Sequence, residues 1–292
     1  MKRRDAVWSG MAAPVVVAML AGGGARAALY DVQLPIDAYG DLCQQDVPGF
    51  GMWACGPTAV TNSMAYLQSA YPGFYGTSLV SPQSQDLDGD GLVDFYDDMI
   101  ATVMTLGSPE YMDTAALGGT PRDCLMWGMH TYIEERVPGV TEYRAQGHAA
   151  WTYHDPFEWC EDVDPTWEFL YESLVDGAAL NFLLIADTFG HYLTMNGFHW
   201  NDANDDGLID YKEDAWITFM DPWTGAYGAA EIYHKYGMIE TTYAFGRIHM
   251  AVATAPIPGP SAVAPWAAAA AWAGRRRRRR QGAEGLGKDS AG

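Results

Sequence analysis

The sequence has few basic side chains, few cysteines and no apolar run long enough for a membrane span. A span takes about 20 consecutive apolar residues, and the apolar stretches near the two ends are shorter. Lys and Arg number 17 against 37 Asp and Glu, so the formal net charge of the 292 residues is −20. Such an acidic chain repels nucleic acid and anionic membranes, which excludes both as partners of its body.

The basic residues that are present concentrate at the two ends of the chain. Residues 1–27 carry a net charge of +3 and residues 256–292 a net charge of +5, which leaves −28 on residues 28–255. This body has the length of one domain. The chain is 49% hydrophobic and 13% aromatic, which is too apolar for disorder. We therefore expect one folded domain, and its acidity suits the binding of cations.

The first 27 residues have the three parts of a secretory signal peptide. Residues 2–4 are basic, residues 11–20 are apolar, and residues 25–27 (Ala-Arg-Ala) form a cleavage site. The apolar part is about half the length that a bilayer span needs. The pattern predicts an exported protein, located in the periplasm, at the cell surface or outside the cell, with a mature start near Ala28.

The C-terminal segment, residues 256–292, joins a proline-rich spacer to a short Ala/Trp stretch and six consecutive arginines at 275–280. Arginines are held on the cytoplasmic side of a membrane, so this order suits retention during export. The layout resembles the PEP-CTERM sorting signals of Gram-negative bacteria, with Pro258-Gly259-Pro260 in place of Pro-Glu-Pro. The resemblance implies a sorting and processing membrane enzyme as partner, with membrane contact only through the terminal segments and transient anchoring in the inner membrane. A disordered basic tail is the alternative.

Four cysteines are compatible with disulfides in an exported protein. If Cys55 is reserved for chemistry, three remain, and Cys124 with Cys160 is the preferred pair. A bridge between Cys43 and Cys55 is the structural alternative, and it would abolish any chemistry at Cys55.

Apolar periodicity and turn residues predict an α+β fold, with helices early and strands late. The predicted helices cover residues 55–67, 121–135 and 165–176, and the predicted strands cover residues 179–186, 191–199, 216–220 and 243–253.

Cys55 stands at the predicted start of the first helix, followed by Gly56 and by Pro57 in the first turn. The positive end of a helix dipole favours negative charge, and so favours the nucleophilic thiolate. Backbone N–H groups at a helix start can also stabilise a developing oxyanion. The pattern therefore favours Cys55 as a nucleophile over an inert buried thiol.

Four segments together resemble the papain-fold cysteine peptidases, most closely the group typified by bacteriocin-processing peptidases. Trp53-Ala-Cys-Gly-Pro-Thr-Ala59 resembles the nucleophile motif, residues 167–186 the helix-Gly-strand unit, residues 190–197 the histidine strand, and residues 219–223 the strand end with the third catalytic residue. The resemblance covers most of residues 44–223. It implies a papain-like fold, with the nucleophile helix packed on an antiparallel sheet.

By position, the resemblance implies Cys55 as nucleophile, His191 as general base, Asp221 as the residue that orients His191, and Trp223 as a shield for that pair. Gln45 is the expected oxyanion donor, with Gln44 as alternative. His199 competes with His191, because both lie on one face of a strand of period two. We expect the other histidines to be surface or core residues, namely His130, His148, His154, His234 and His249.

Two twelve-residue loops have the spacing of an EF-hand or dockerin-type calcium site, with oxygen ligands at positions 1, 3, 5, 7, 9 and 12 and glycine at position 6. The expected ligands are Asp86, Asp88, Asp90, the Leu92 carbonyl, Asp94 and Asp97 in loop 1, and Asp202, Asn204, Asp206, the Leu208 carbonyl, Asp210 and Glu213 in loop 2. Oxygen-only sets favour Ca²⁺ over zinc. We expect a structural Ca²⁺, with loop 2 setting the spacing of His191 and Asp221. Two solvated acidic turns are the alternative.

The sequence thus predicts a calcium-stabilised, exported cysteine peptidase that hydrolyses peptide bonds of peptide or protein substrates through a thioester. A transglutaminase-like or amidase-like acyl transferase would use the same residues. A non-catalytic calcium-binding surface or matrix protein on a papain-like fold is the alternative from a different class.

Overall fold

The computed structural model describes residues 28–148, 151–186, 189–244 and 246–257. The predicted signal peptide and the sorting tail beyond residue 257 lie outside these residues. The chain divides into two units, Met1–Pro256 and Ile257–Gly292, and the fold described below is that of the first. Within the described residues, no helix has the length and apolar character needed to cross a bilayer.

The first unit mixes helices and strands, as expected for an α+β protein. The helices are α1 (Cys55–Ala70), α2 (Pro72–Tyr75), α3 (Phe95–Leu106), α4 (Thr114–Leu117), α5 (Arg122–Arg136) and α6 (Trp167–Val175). The strands are β1 (Ala28–Gln33), β2 (Thr141–Gly147), β3 (Cys160–Glu161), β4 (Ala179–Ile185), β5 (Gly190–Asp202), β6 (Ala215–Asp221), β7 (Ala226–Lys235), β8 (Met238–Thr241) and β9 (Arg247–Pro256).

All nine strands form one sheet, in the order β1-β5-β6-β7-β8-β9-β2-β3, and β4 pairs with both β5 and β9. Every pairing is antiparallel except that of β2 with β3. Because β4 bridges β5 and β9, the strands β5 to β9 and β4 form a closed ring of hydrogen-bonded neighbours. β5 and β9 each pair with three strands.

Helix α1 packs against β4, β5 and α3 and is buried on all sides from Cys55 to Leu67. Buried polar groups fix its position on the sheet. The Asn181 amide on β4 donates to the Ser63 hydroxyl on α1 at 2.9 Å, and the Thr194 hydroxyl on β5 donates to the Ala59 carbonyl at 2.7 Å. Buried hydrogen bonds of this kind hold elements in register, because breaking one leaves an unsatisfied polar group. They therefore set the height of Cys55 relative to β5.

The predicted elements are confirmed with small shifts of their ends, apart from the last strand. Residues 243–253 were expected to be continuous, but Tyr243 lies in a turn before β9, where its N–H donates to the Thr241 hydroxyl. The sequence did not predict the helices α2, α3 and α4 or the strands β1, β2, β3, β7 and β8. Most of β7 is exposed or half-buried, so it lacks a strong apolar alternation.

The expected pairing of Cys124 with Cys160 is wrong, since all four cysteines are free thiols. Cys124 is buried in α5, whereas Cys160 is half-buried on the short strand β3, opposite Ala145 of β2. Cys43 and Cys55 are not bridged either, so the sulfur of Cys55 is free for chemistry.

Candidate active site

Cys55, His191 and Asp221 come together from three elements at one end of the β5–β6 hairpin. Cys55 is the first residue of α1, His191 is the second residue of β5, and Asp221 is the last residue of β6. The antiparallel register pairs Thr194 with Met220, so the start of β5 and the end of β6 lie side by side. The structure thus brings together the three residues that the sequence predicted.

His191 is the central member of the group. Its Nε2 lies 2.8 Å from Asp221 Oδ1, and the Cys55 thiol is also a hydrogen-bonding neighbour of the ring. With Nε2 engaged by the carboxylate, Nδ1 is the nitrogen left to face the sulfur. The three side chains are nearly inaccessible, since Cys55 is 9%, His191 7% and Asp221 5% exposed. Within this low-dielectric setting, each ionic contact is stronger than it would be in water.

The electrostatics favour a charged imidazole. Burial opposes the imidazolium, but the hydrogen bonds to Asp221 and to Cys55 outweigh it and raise the pKa of His191 to about 9. Burial also opposes the Asp221 carboxylate, but hydrogen bonds from His191 and Tyr243 lower its pKa. At neutral pH, Asp221 is therefore ionised beside a protonated His191, a state that stabilises a thiolate.

Asp221 is held by two further donors. The Tyr243 hydroxyl donates to Oδ2 at 2.6 Å, and the Trp223 N–H donates to Oδ1 at 2.8 Å. The Tyr243 ring packs edge-on against Phe219. The carboxylate is thus fixed in one orientation toward His191. Sequence reasoning missed Tyr243, because it lies in a turn and no motif surrounds it.

Replacing Tyr243 with phenylalanine is expected to lower kcat/KM by roughly tenfold, because a hydrogen bond to a charged group contributes about 1.5–3 kcal/mol. The lost donor normally lowers the Asp221 pKa, so the acid limb of the pH–rate profile should move to higher pH. Tyr233→Phe on β7, whose ring packs on Tyr211, is the matched control and should leave the profile unchanged. An unshifted acid limb in Tyr243→Phe would contradict this role.

The start of α1 has no side-chain cap and lies close to the loop before α5. No side chain caps the helix, so no side-chain acceptor occupies the first-turn N–H of Cys55. Gly56 packs directly on the loop before α5, where a Cβ would lie 2.6 Å from the Thr120 hydroxyl. The glycine after the cysteine is therefore needed for packing of the loop that forms one wall of the site.

The two glutamines near the site have different surroundings. Gln45 is exposed, and its amide donates to the Trp223 carbonyl at 3.3 Å. Gln44 is fully buried, its amide donates to the Met52 carbonyl at 2.9 Å, and its Oε1 has no hydrogen-bond partner among the described residues. Neither contacts Cys55, but Gln44 is anchored to the loop that leads into it. Neither glutamine lines the described part of the cleft, so the structure brings neither the expected donor Gln45 nor the alternative Gln44 to the nucleophile.

Cys55 and His191 open into a cleft of about 840 Å³. Four large apolar side chains in its lining are unusually exposed, namely Met52 (59%), Trp53 (46%), Phe189 (49%) and Trp223 (44%). The remaining lining residues are Leu117, Gly118, Gly119, Thr120, Pro121, Arg122, Leu183, Ile185, Gly190, Tyr192, Tyr243 and Ala244. Exposed aromatic side chains around a cleft are typical of a binding site.

No family model, curated protein or solved structure matches this chain. The geometry of the site therefore carries the functional argument.

His199, the competing base, has a different environment. Its Nδ1 lies 3.2 Å from Asp31 on β1, and its ring stacks on Trp216. It does not line the cleft, and neither do the other histidines of the described residues. His234 binds loop 2 instead, since its Nδ1 accepts the Ile209 N–H at 2.8 Å.

Loop 1 brings three of its expected ligands together. One carboxylate oxygen each of Asp86, Asp88 and Asp97 lies within 4.8 Å of the others. Asp90 and Asp94 turn toward backbone N–H groups, and Asp94 caps α3. Although a hydrogen bond from Asp90 N–H favours the charged form, burial and neighbouring carboxylates raise the pKa of Asp88. Convergent carboxylates that repel one another fit a divalent cation.

Loop 2 is less convergent. Among the residues that the structure describes, three acidic, histidine or cysteine ligands approach within 4.8 Å only in loop 1. Both Glu213 oxygens accept hydrogen bonds, from Trp200 Nε1 and the Ala203 N–H. Loop 2 joins the far ends of β5 and β6, about 35 Å of strand from His191 at about 3.3 Å a residue. The β5–β6 ladder, rather than loop 2 directly, fixes the spacing of His191 and Asp221.

Proposed function

We propose that the protein is a cysteine peptidase with a papain-like catalytic arrangement, which hydrolyses peptide bonds of peptide or protein substrates. The observation that carries the proposal is that His191, bonded to the carboxylate of Asp221 at 2.8 Å, lines the same apolar cleft as the free thiol of Cys55. A nucleophile, a base and an orienting carboxylate in this order are the requirements for acyl transfer.

In the proposed reaction, the Cys55 thiolate attacks the peptide carbonyl. His191 then gives its proton to the leaving amine, and a thioester remains on Cys55. Water attacks the thioester with His191 as general base, and the acid product leaves. Asp221 keeps the imidazolium oriented throughout, as its hydrogen bonds from Tyr243 and Trp223 allow.

The oxyanion is assigned to the start of α1. The N–H of Cys55 and the positive end of the helix dipole face the position where negative charge develops. No side-chain amide is assigned as a second donor, because the Gln44 amide already donates to the Met52 carbonyl, the Gln45 amide donates to the Trp223 carbonyl, and neither glutamine lines the described part of the cleft.

The proposal includes export and membrane-enzyme processing, which the terminal segments support. Those segments would be the only parts of the chain to contact a membrane.

The direct test is incubation of the purified chain with a peptide mixture, followed by mass spectrometry of the products. Cleavage at defined bonds, with one oxygen from H₂¹⁸O in the new carboxyl group, is the expected result. Transfer of the acyl group to an added amine without ¹⁸O uptake would instead support the transferase. No turnover, with the fold intact, would favour a non-catalytic calcium-binding protein.

Ca²⁺ is the proposed structural ion, and loop 1 is its best-formed site. Adding millimolar Ca²⁺ is expected to raise the melting temperature by several degrees, because binding to the folded state alone stabilises it in proportion to ln(1 + [L]/Kd). Asp88→Asn should remove most of that rise, since Asp88 is exposed and its carboxylate is one of the three that converge. The matched variant Asp210→Asn in loop 2 distinguishes the contribution of loop 2 to the calcium-induced rise from that of loop 1. An equal response of Asp88→Asn and unaltered chain to Ca²⁺ would contradict a site in loop 1.

A further inference from the structure

One charged side chain in the cleft is not used by the proposed reaction. Arg122 lines the same cavity as Cys55 and His191. No Asp or Glu of the described residues lines that cavity, although the chain has 37 of them. A fixed positive charge in a cleft without carboxylates is unexpected in so acidic a protein, since unpaired cations are readily neutralised by acidic neighbours.

The other arginines of the body are engaged. Arg144 pairs with Asp176 at 2.9 Å, and Arg247 pairs with Glu240 at 2.9 Å. Arg136 lies over the Tyr132 ring at 3.3 Å. For Arg122, in contrast, no carboxylate of the described residues comes within 4.0 Å of its guanidinium.

The adjacent carboxylate does not neutralise Arg122. Asp123 is buried and faces the other way, where it accepts the N–H groups of Cys124 and Tyr153 at 3.0 and 2.7 Å. Arg122 is also the first residue of α5, and no side chain caps this 15-residue helix. Thr120 and Pro121, which precede the helix, line the cleft as well. The helix dipole therefore adds to the positive potential of the guanidinium on this wall.

We propose that Arg122 is a specificity-determining residue that binds a substrate carboxylate, so that the enzyme prefers peptides carrying an acidic group beside bulky apolar residues. The proposal rests on the proposed function. A guanidinium matches a carboxylate with two parallel hydrogen bonds, whereas an amide offers one acceptor. The apolar partners are the exposed side chains of Met52, Trp53, Phe189 and Trp223. The acidic body repels an acidic substrate at long range, but salt at physiological concentration screens this repulsion beyond about 8 Å. The direct contact between Arg122 and the substrate carboxylate is not screened in this way.

The carboxylate has two sources, an acidic side chain or the C-terminus of the peptide, and paired substrates distinguish them. Peptides that differ only as Glu or Gln at each position near the scissile bond test the side chain, and free or amidated C-termini test the terminus. We expect kcat/KM to favour one carboxylate series by roughly 10–100-fold, the range of a charge-assisted hydrogen bond.

Arg122→Gln should bring that ratio close to one, and Arg122→Lys should give an intermediate ratio, because lysine keeps the charge but loses the fork. Arg144→Gln, which removes a surface pair, is the matched control and should keep the full ratio. A ratio near one in the unaltered enzyme, or an unchanged ratio in Arg122→Gln, would overturn the proposal.

Binding to Cys55→Ala, measured by calorimetry with the same peptides, separates this proposal from the proposed function. If the carboxylate peptides bind preferentially but the unaltered chain does not hydrolyse them, the peptidase proposal is wrong and the anion site at Arg122 is supported. If the unaltered chain hydrolyses all peptides at equal rates, the peptidase proposal is supported and the proposed role of Arg122 is wrong.

Discussion

Cys55→Ala is expected to abolish peptide hydrolysis, with a loss of at least about 10³-fold in kcat, because no other group can form the thioester. Of the three remaining thiols, Cys43 does not line the described part of the cleft and donates to the Trp223 carbonyl at 3.3 Å, and the other two are poor nucleophiles. Burial and the nearby carboxylate of Asp123 raise the pKa of Cys124 to about 12, and burial with Asp162 raises that of Cys160 to about 11. Both are therefore protonated at neutral pH. The measurement is steady-state hydrolysis of a fluorogenic peptide identified from the cleavage mixture.

Cys160→Ala is the matched control, since it removes a half-buried thiol of β3 away from the cleft. It should retain full activity, and both variants should melt as the unaltered chain does to within a few degrees. Hydrolysis that persists in Cys55→Ala would show that the activity belongs to another group or to a contaminant.

His191→Gln is expected to lower kcat/KM by roughly 10³-fold or more, because the variant loses both the imidazolium beside the sulfur and the proton donor for the leaving amine. Glutamine keeps a hydrogen-bond donor toward Asp221, which limits damage to the fold. His199→Gln offers a matched comparison on the same strand, since His199 also faces a carboxylate but lies outside the cleft.

The unequal effect of the two substitutions is the decisive feature. His199→Gln should alter stability slightly and leave kcat/KM within about twofold, as for a group that does not contact substrate. Equal losses in the two variants would mean that β5 is merely destabilised, and a larger loss in His199→Gln would transfer the catalytic role to the competing histidine.

The sequence was most informative where chemistry requires a local pattern. Cys55 was predicted because Gly56 and Pro57 mark a helix start, and His191 and Asp221 were predicted because the short segments around them resemble the papain-fold motifs. The order of these segments along the chain does not depend on long-range packing. For this reason the triad could be predicted without coordinates, whereas its hydrogen-bond distances could not.

The residues that sequence reasoning missed are defined by packing alone. Tyr243 reaches Asp221 only because β8 and β9 bring its turn to the end of β6. In the sequence, nothing distinguishes Arg122 from other polar residues at helix starts. Only the structure shows that no carboxylate lines the described part of the cleft around it.

The two acidic loops show the same limit. Their spacing predicted twelve ligands in two equivalent sites, and the glycines at position 6 do adopt positive φ, 89° at Gly91 and 77° at Gly207. Side-chain convergence differs, however, although the position-12 carboxylates of both loops, Asp97 and Glu213, accept backbone N–H groups. A ligand pattern fixes which oxygens are present, and the surrounding fold decides where they point.

The most direct test of the proposed ion pair is the rate of iodoacetamide alkylation at each cysteine between pH 5.5 and 9.5, followed by peptide mass spectrometry. The pKa of His191 is raised to about 9, so its imidazolium persists through neutral pH. The proposed ion pair then predicts that Cys55 reacts rapidly and at a nearly constant rate from about pH 6 to 8.5. This plateau should vanish in His191→Gln. A Cys55 rate that is slow at pH 6 and climbs about tenfold per pH unit, as for an ordinary thiol, would contradict the ion pair and with it the proposed catalytic site.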